Sequence, residues 1–109
     1  MKCRFDEQAA AEVRAIARFY VNENRELGIR FVEELYRALE LLHDNPELGQ
    51  QLANGLRRLL LSGFPYRVIY QVDATTRVIR IIAVCHYSRR PDYWKNRVQE
   101  VPALYAVAA

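Results

Sequence analysis

Apolar residues return at three- and four-residue intervals at Ala9, Ala10, Val13, Ile16, Ala17, Tyr20 and Val21, a spacing that gathers them on one face of a helix. Asp6 stands just ahead of this run and is read as its N-cap, the carboxylate accepting a backbone N–H that has no partner inside the helix. Asn22 and Asn24 interrupt the pattern, and it resumes at Phe31, Val32, Leu35, Leu39 and Leu42, with Glu33, Glu34, Arg37 and Glu40 mostly on the opposite side. This predicts a second helix that stops before Asn45-Pro46, because the residue preceding a proline is pushed out of the helical region. So short a connection predicts an antiparallel helical hairpin, and each apolar stripe needs a partner layer.

That layer is predicted downstream. Beyond a turn-rich link over 46–54, the segments Leu56 to Ser62, Tyr66 to Val72 and Arg77 to Cys85 are short and rich in Leu, Val, Ile and Tyr. Turn signals at Gly63-Phe64-Pro65 and at Asp73-Ala74-Thr75-Thr76 separate them. They predict three consecutive antiparallel strands, and Lys2 to Phe5 is a further strand candidate. In the middle strand Tyr66, Val68, Tyr70 and Val72 face one way and Arg67, Ile69 and Gln71 the other, since strand side chains alternate. The expected class is α+β: an N-terminal strand and helical hairpin packed on an antiparallel sheet of three to four strands. No repeat or linker divides the chain, so one domain over residues 1–97 is expected, followed by an apolar tail over 98–109 in which Pro102 argues against a continuing helix.

Composition changes this picture in two respects. The 109 residues are 51% hydrophobic and 27% charged, the balance of a folding globular domain with room for one core. No run is long and apolar enough to span a bilayer and the N-terminus has no secretory apolar region, so a cytoplasmic protein without membrane association is expected. Cys3 and Cys85 have no CxxC or CxxH partner and read as free thiols; no metal or cofactor is expected. The net charge of +3 is unevenly spread: residues 1–56 carry 7 Lys+Arg against 10 Asp+Glu, and residues 57–97 carry 9 against Asp73 and Asp92 alone. A basic block of this kind attracts nucleic acid or an acidic protein segment. A groove-reading DNA-binding module is disfavoured, because the second helix carries acidic residues on its outer side that would repel a phosphate backbone.

Specific runs narrow the reading further. Asn45-Pro46-Glu47-Leu48-Gly49, Tyr66-Arg67-Val68-Ile69-Tyr70, Ile81-Ile82-Ala83-Val84-Cys85-His86, and Arg89-Arg90-Pro91 followed by Tyr93-Trp94 and Arg97 occur in an order and spacing that resemble the RelE/ParE superfamily of bacterial toxins over roughly residues 2–97. The resemblance implies the toxin of a type II toxin–antitoxin pair. It also implies a hetero-oligomer with a cognate antitoxin whose C-terminal segment folds as it wraps the toxin in an apolar groove flanked by arginines.

Two activities are known on this scaffold. RelE-like toxins are ribosome-dependent nucleases that cut messenger RNA; ParE-like toxins inhibit DNA gyrase by protein contact. Cleavage through a 2′-hydroxyl needs a base, cations against the phosphate and an acid for the leaving oxygen. On the RelE-like reading the resemblance implies Arg67, His86, Tyr87, Arg89 and Tyr93 for these roles. Yet the lysines such an enzyme offers before its Tyr-Arg strand are replaced by Arg57 and Arg58, which do not readily release a proton. The ending His86 to Arg97 is similar to the ParE type, which implies target contacts at Arg89, Arg90, Tyr93, Trp94 and Arg97, with DNA gyrase as the partner and the ribosome with its message as the alternative. Plainer roles compete: Arg67 bridging to a carboxylate on the surface, His86 as a structural hydrogen-bonding residue, and Trp94 anchoring the last turn to the core.

Overall fold

The computed structural model describes residues 1–89, Trp94 and Arg97. The apolar tail expected over 98–109 lies outside these residues, as do Arg90 and Tyr93. The chain runs β1 (Lys2–Phe5), α1 (Glu7–Glu23), α2 (Arg25–Asp44), β2 (Gln50–Gln51), a single 3-10 turn (Ala53–Gly55), β3 (Leu56–Leu60), β4 (Tyr66–Asp73) and β5 (Val78–His86).

The two predicted helices are present and meet through Asn24 alone. This residue ends α1, its backbone N–H bonding Tyr20 O, and starts α2, its side chain accepting from Glu26 N at 2.8 Å. The interruption read from Asn24 is therefore a cap shared by both helices, which lets the chain reverse without a loop. Tyr20 stacks on Phe31, and Gly28 lies so close to Val21 that a Cβ there would collide. The hairpin is thus antiparallel and tight at its tip. Its burial is unequal: α2 buries Phe31, Leu35, Ala38, Leu39 and Leu42, whereas α1 fully buries only Ala9 and half-buries Val13, Ile16, Ala17 and Tyr20.

Asp6 occupies the N-cap position of α1, but its carboxylate caps nothing. Arg80 takes it in a fork, Nη2 to Oδ2 at 2.6 Å and to Oδ1 at 2.7 Å, with Nε to Oδ1 at 3.1 Å. The expected cap fails because a charge-assisted bidentate pair outcompetes a bond to a neutral amide.

The sheet has five strands in the order β1-β5-β4-β3-β2, more than the three to four expected, and it is not wholly antiparallel. β3, β4 and β5 form the predicted meander. β1 adds to the outer side of β5 in parallel, Lys2 beside Val78 and Phe5 beside Ile81, which the long excursion through the helices permits. The two-residue β2 arises within the turn-rich link and pairs Gln50 with Arg58 and Gln51 with Arg57.

Tyr66, Val68, Tyr70 and Val72 face the helices as the alternation predicts, joining Phe31, Leu35, Leu42, Ile79, Ile81 and Val84 in the main core. The opposite face is also buried. Leu56, Ile69, Ile82, Ala83, Cys85 and Trp94 form a second cluster there. Register explains its composition: Ile69 pairs with Ala83 but Tyr70 pairs with Ile81, so Ile82 is one residue too many on β5. This bulge lets the adjacent Ile82 and Ala83 both join the outer cluster, which strict alternation would forbid.

Candidate functional site

The Asn45-to-Gly49 run is bound to the sheet from both sides. Tyr70, fully buried, donates its hydroxyl to Pro46 O at 2.9 Å and accepts from Gly49 N at 2.8 Å. Arg57 Nη1 donates to Gly49 O at 2.8 Å and to Glu47 O at 3.1 Å. A Cβ at Gly49 would lie 2.6 Å from the Tyr70 hydroxyl and 2.7 Å from Arg58 O, so only glycine fits. Burial pushes the Tyr70 phenol up, and the Gly49 N–H offsets part of that shift. Arg58 is likewise engaged, holding Gln50 Oε1 through Nη2 at 2.7 Å and Nε at 3.0 Å. Two arginines of the basic block thus serve the fold of the link.

Arg67 has a different setting. It lies on the face away from the helices, paired across the sheet with Leu60 and Cys85. It bridges to no carboxylate among the described residues. Its Nη2 donates to Tyr87 O at 2.9 Å, its guanidinium carbon lies 5.6 Å from the centre of the Tyr87 ring, and its buried Nε has no hydrogen-bond partner. Past the end of β5 the chain turns at once: Tyr87 N donates to Pro65 O at 2.9 Å, Arg89 N to His86 O at 3.0 Å, and Ser88 N to His86 Nδ1 at 3.0 Å. The last bond makes Nδ1 an acceptor and so puts the proton of the neutral ring on Nε2. The His86 ring stands edge-on to Tyr66, 5.4 Å between centres. Tyr66 is buried, and desolvation, followed by a hydrogen bond with Tyr20, pushes its phenol up to about 12.

Of the residues expected at a site, the structure brings Arg67, His86, Tyr87 and Arg89 together at this end of the sheet. Tyr87, Ser88 and Arg89 are exposed. A hollow of about 230 Å³ opens beside them, lined by Glu12, Ile16, Tyr66, His86, Ser88 and Arg89. Trp94 and Arg97 are instead engaged in the packing. Trp94 is only 5% exposed within the outer cluster, the anchoring role weighed against a target contact. Arg97 pairs with Glu12, Nη1 to Oε1 at 3.0 Å, and also donates to Ile82 O at 3.0 Å.

Glu12 escaped the sequence reading. Its Oε1 also accepts from Val84 N at 3.1 Å, so one carboxylate of α1 completes the edge of β5 beyond the end of β1 and fixes Arg97. The sole signal was an acidic residue between the apolar positions Ala10 and Val13. Among the described residues no three His, Cys, Asp or Glu side chains converge as metal ligands, and no helix is long and apolar enough to cross a membrane.

A second concavity lies on the hairpin. Half-buried positions of α1 leave a groove of about 330 Å³ between Ala10, Val13 and Ala17 on one side and Val32, Leu35 and Tyr36 on the other, with Arg14 at its rim. Its lining is predominantly apolar, and Tyr36 is 60% exposed.

Among solved structures, the chain is similar to one from the chromosomal ParDE toxin–antitoxin system of P. aeruginosa, at 22% identity and a TM-score of 0.67, covering 79% of this chain and 95% of the other. A chain of the intact E. coli RelBE toxin–antitoxin complex is 25% identical with a TM-score of 0.61, covering 81% and 98%. The isolated E. coli RelE toxin is 23% identical with a TM-score of 0.60, covering 92% and 97%. A comparison with curated proteins gives no match. The family profile described as the ParE toxin of the type II toxin–antitoxin system, parDE, matches residues 3–91, most of the chain and every element of the fold. The chain belongs to the ParE toxin family of type II toxin–antitoxin systems.

Proposed function

We propose that the protein arrests growth by binding and inhibiting DNA gyrase, without chemistry of its own, and that a cognate antitoxin neutralises it. The observation that carries this reading is the surroundings of Arg67. Cleavage of RNA there would need a neighbouring group that takes up a proton. Among the described residues Arg67 has no carboxylate in ion-pair reach, and the one lysine, Lys2, sits on β1 at the far end of β5. Arg57 and Arg58 are held by backbone and Gln50 acceptors, and a guanidinium is a poor base in any case. His86 spends Nδ1 on the turn. An exposed arginine and tyrosine on a rigid turn suit a protein contact better than a proton relay, since such residues dominate binding hot spots.

The antitoxin reading rests on the hairpin groove and on kinship with chains from two toxin–antitoxin systems. An apolar trough rimmed by Arg14 suits an acidic amphipathic segment that folds on binding, the helix-in-groove mode. The test is expression of the chain in bacteria with and without its antitoxin, reading colony formation and the superhelicity of a reporter plasmid. The proposal expects arrest with relaxed plasmid, rescued by the antitoxin. Arrest with normal superhelicity and truncated messages would transfer the chain to the nuclease reading.

A further inference from the structure

We infer that Arg67 is a positioning residue: through Tyr87 it sets the backbone of the 86–89 turn, and so presents Arg89 to the target without touching the target itself. This rests on the proposed role of that turn in target binding. The turn is held at each successive residue. His86 O and Nδ1 accept from Arg89 N and Ser88 N, Tyr87 N is held by Pro65 O, and Tyr87 O is held by Arg67 Nη2. Three of these bonds are made by the turn itself or by the neighbouring backbone. The fourth alone comes from a side chain on β4, and the same guanidinium lies against the Tyr87 ring.

The energetics favour this use of the arginine. An arginine on a strand commonly turns its head to water or to a carboxylate. This one keeps its head on a carbonyl and an aromatic ring and leaves Nε buried without a partner, a cost that the turn contacts must offset. The guanidinium donates to the Tyr87 carbonyl while its carbon lies over the Tyr87 ring, so both contacts fix one orientation of Tyr87 relative to β4. β4 and β5 share the longest ladder of the sheet, paired from Tyr66–His86 to Asp73–Val78 with one bulge at Ile82, so the turn is tied to a rigid support.

The experiment uses isotope-labelled, antitoxin-free full-length protein and the variants Arg67→Met, Arg67→Lys, Tyr87→Phe and Arg89→Ala. Exchange of the Ser88 and Arg89 amides and the His86 tautomer are read by NMR, and gyrase affinity is measured on the same samples. Arg67→Met is expected to speed exchange at Ser88 and Arg89 by about tenfold or more while Val68 and Val84 in the ladder keep their protection. Its affinity should fall by about tenfold, and in the Arg89→Ala background by less than about twofold, because the two changes remove one contact. Arg67→Lys, which keeps a donor near Tyr87 O, should restore most of the protection and affinity, and Tyr87→Phe, whose hydroxyl holds no part of the turn, should leave the protection unchanged. Were Arg67→Met not to fold, Arg67→Gln, which stays polar but falls short of Tyr87 O, would carry the same readouts. Lost affinity with unaltered Ser88 and Arg89 amides, or losses that multiply in the double variant, would overturn the inference and make Arg67 a contact residue. If the wild type does not bind gyrase, the target reading fails, while the amides and the tautomer still decide what Arg67 does for the turn.

Discussion

Replacing Tyr70 by phenylalanine removes one oxygen and leaves the ring in place. That oxygen is the bond between the central strand and the Asn45-to-Gly49 run, accepting from Gly49 N and donating to Pro46 O. Gly49 is buried, so its N–H would be left without an acceptor or water, at a cost of about 1–3 kcal/mol. Pro46 is half-buried and its carbonyl can regain water, which adds less; the whole loss comes to about 2–4 kcal/mol. No cavity contribution arises, because the phenyl ring fills the same space. Urea unfolding monitored by circular dichroism should show the midpoint lowered by about 1–3 M at unchanged slope. Amide exchange at Gly49 should rise as well. A loss below about 0.5 kcal/mol, the range of ordinary surface changes, would refute the claim that this hydroxyl holds the link to the sheet.

Leu35→Ala empties a site that is 2% exposed on α2 and should cost about 2–5 kcal/mol in the same unfolding assay; a few tenths would mean the helix is rotated. Glu12→Gln removes the carboxylate charge that Arg97 pairs with at 3.0 Å, which should cost about 1–3 kcal/mol. It should also red-shift the emission of Trp94, the single tryptophan, and open it to acrylamide; an unchanged spectrum would sever Glu12 from the anchoring of this segment. Tyr66 titrates near 12 when folded and near 10 when unfolded, so above pH 10 the unfolded chain loses a proton that the folded one keeps. Its contribution is complete below pH 10 and drains away as pH rises toward 12, by on the order of 2–3 kcal/mol. Wild type should therefore lose more stability than Tyr66→Phe between pH 9.5 and 11.5, and parallel losses would contradict the shift.

Elements that obey a local period were legible before the structure. The stripe from Phe31 to Leu42, the stop at Asn45-Pro46 and the Tyr66, Val68, Tyr70, Val72 face follow from spacing alone. What escaped depends on partners distant in sequence. The parallel seat of β1 beside β5 joins residues 76 positions apart, and the diversion of Asp6 from its capping role needs Arg80 from the same strand. Ile69 was seen to face away from the helices, but nothing in β4 announces that Ile82, displaced by a bulge, and Trp94 cover it there. The site divides in the same way. Arg67, His86, Tyr87 and Arg89 were identifiable as chemistry-bearing residues near one another, whereas the acceptor that orients Arg67 is a backbone carbonyl, which has no residue-type signature. Trp94 and Arg97 read like contact residues by type, and their burial and pairing with Glu12 emerge only from the packing.

The target of the turn at the end of β5 can be read from one pair of reactions. Purified toxin, freed of antitoxin, should be titrated into two parallel reactions: supercoiling of relaxed plasmid by DNA gyrase, and translation of a defined message by purified ribosomes. Supercoiling should fall in proportion to bound toxin, Arg89→Ala should shift the inhibition to about tenfold or more higher toxin concentration, and every message should stay intact. Messages cut within the ribosome, with gyrase fully active at the same toxin concentration, would contradict the gyrase reading.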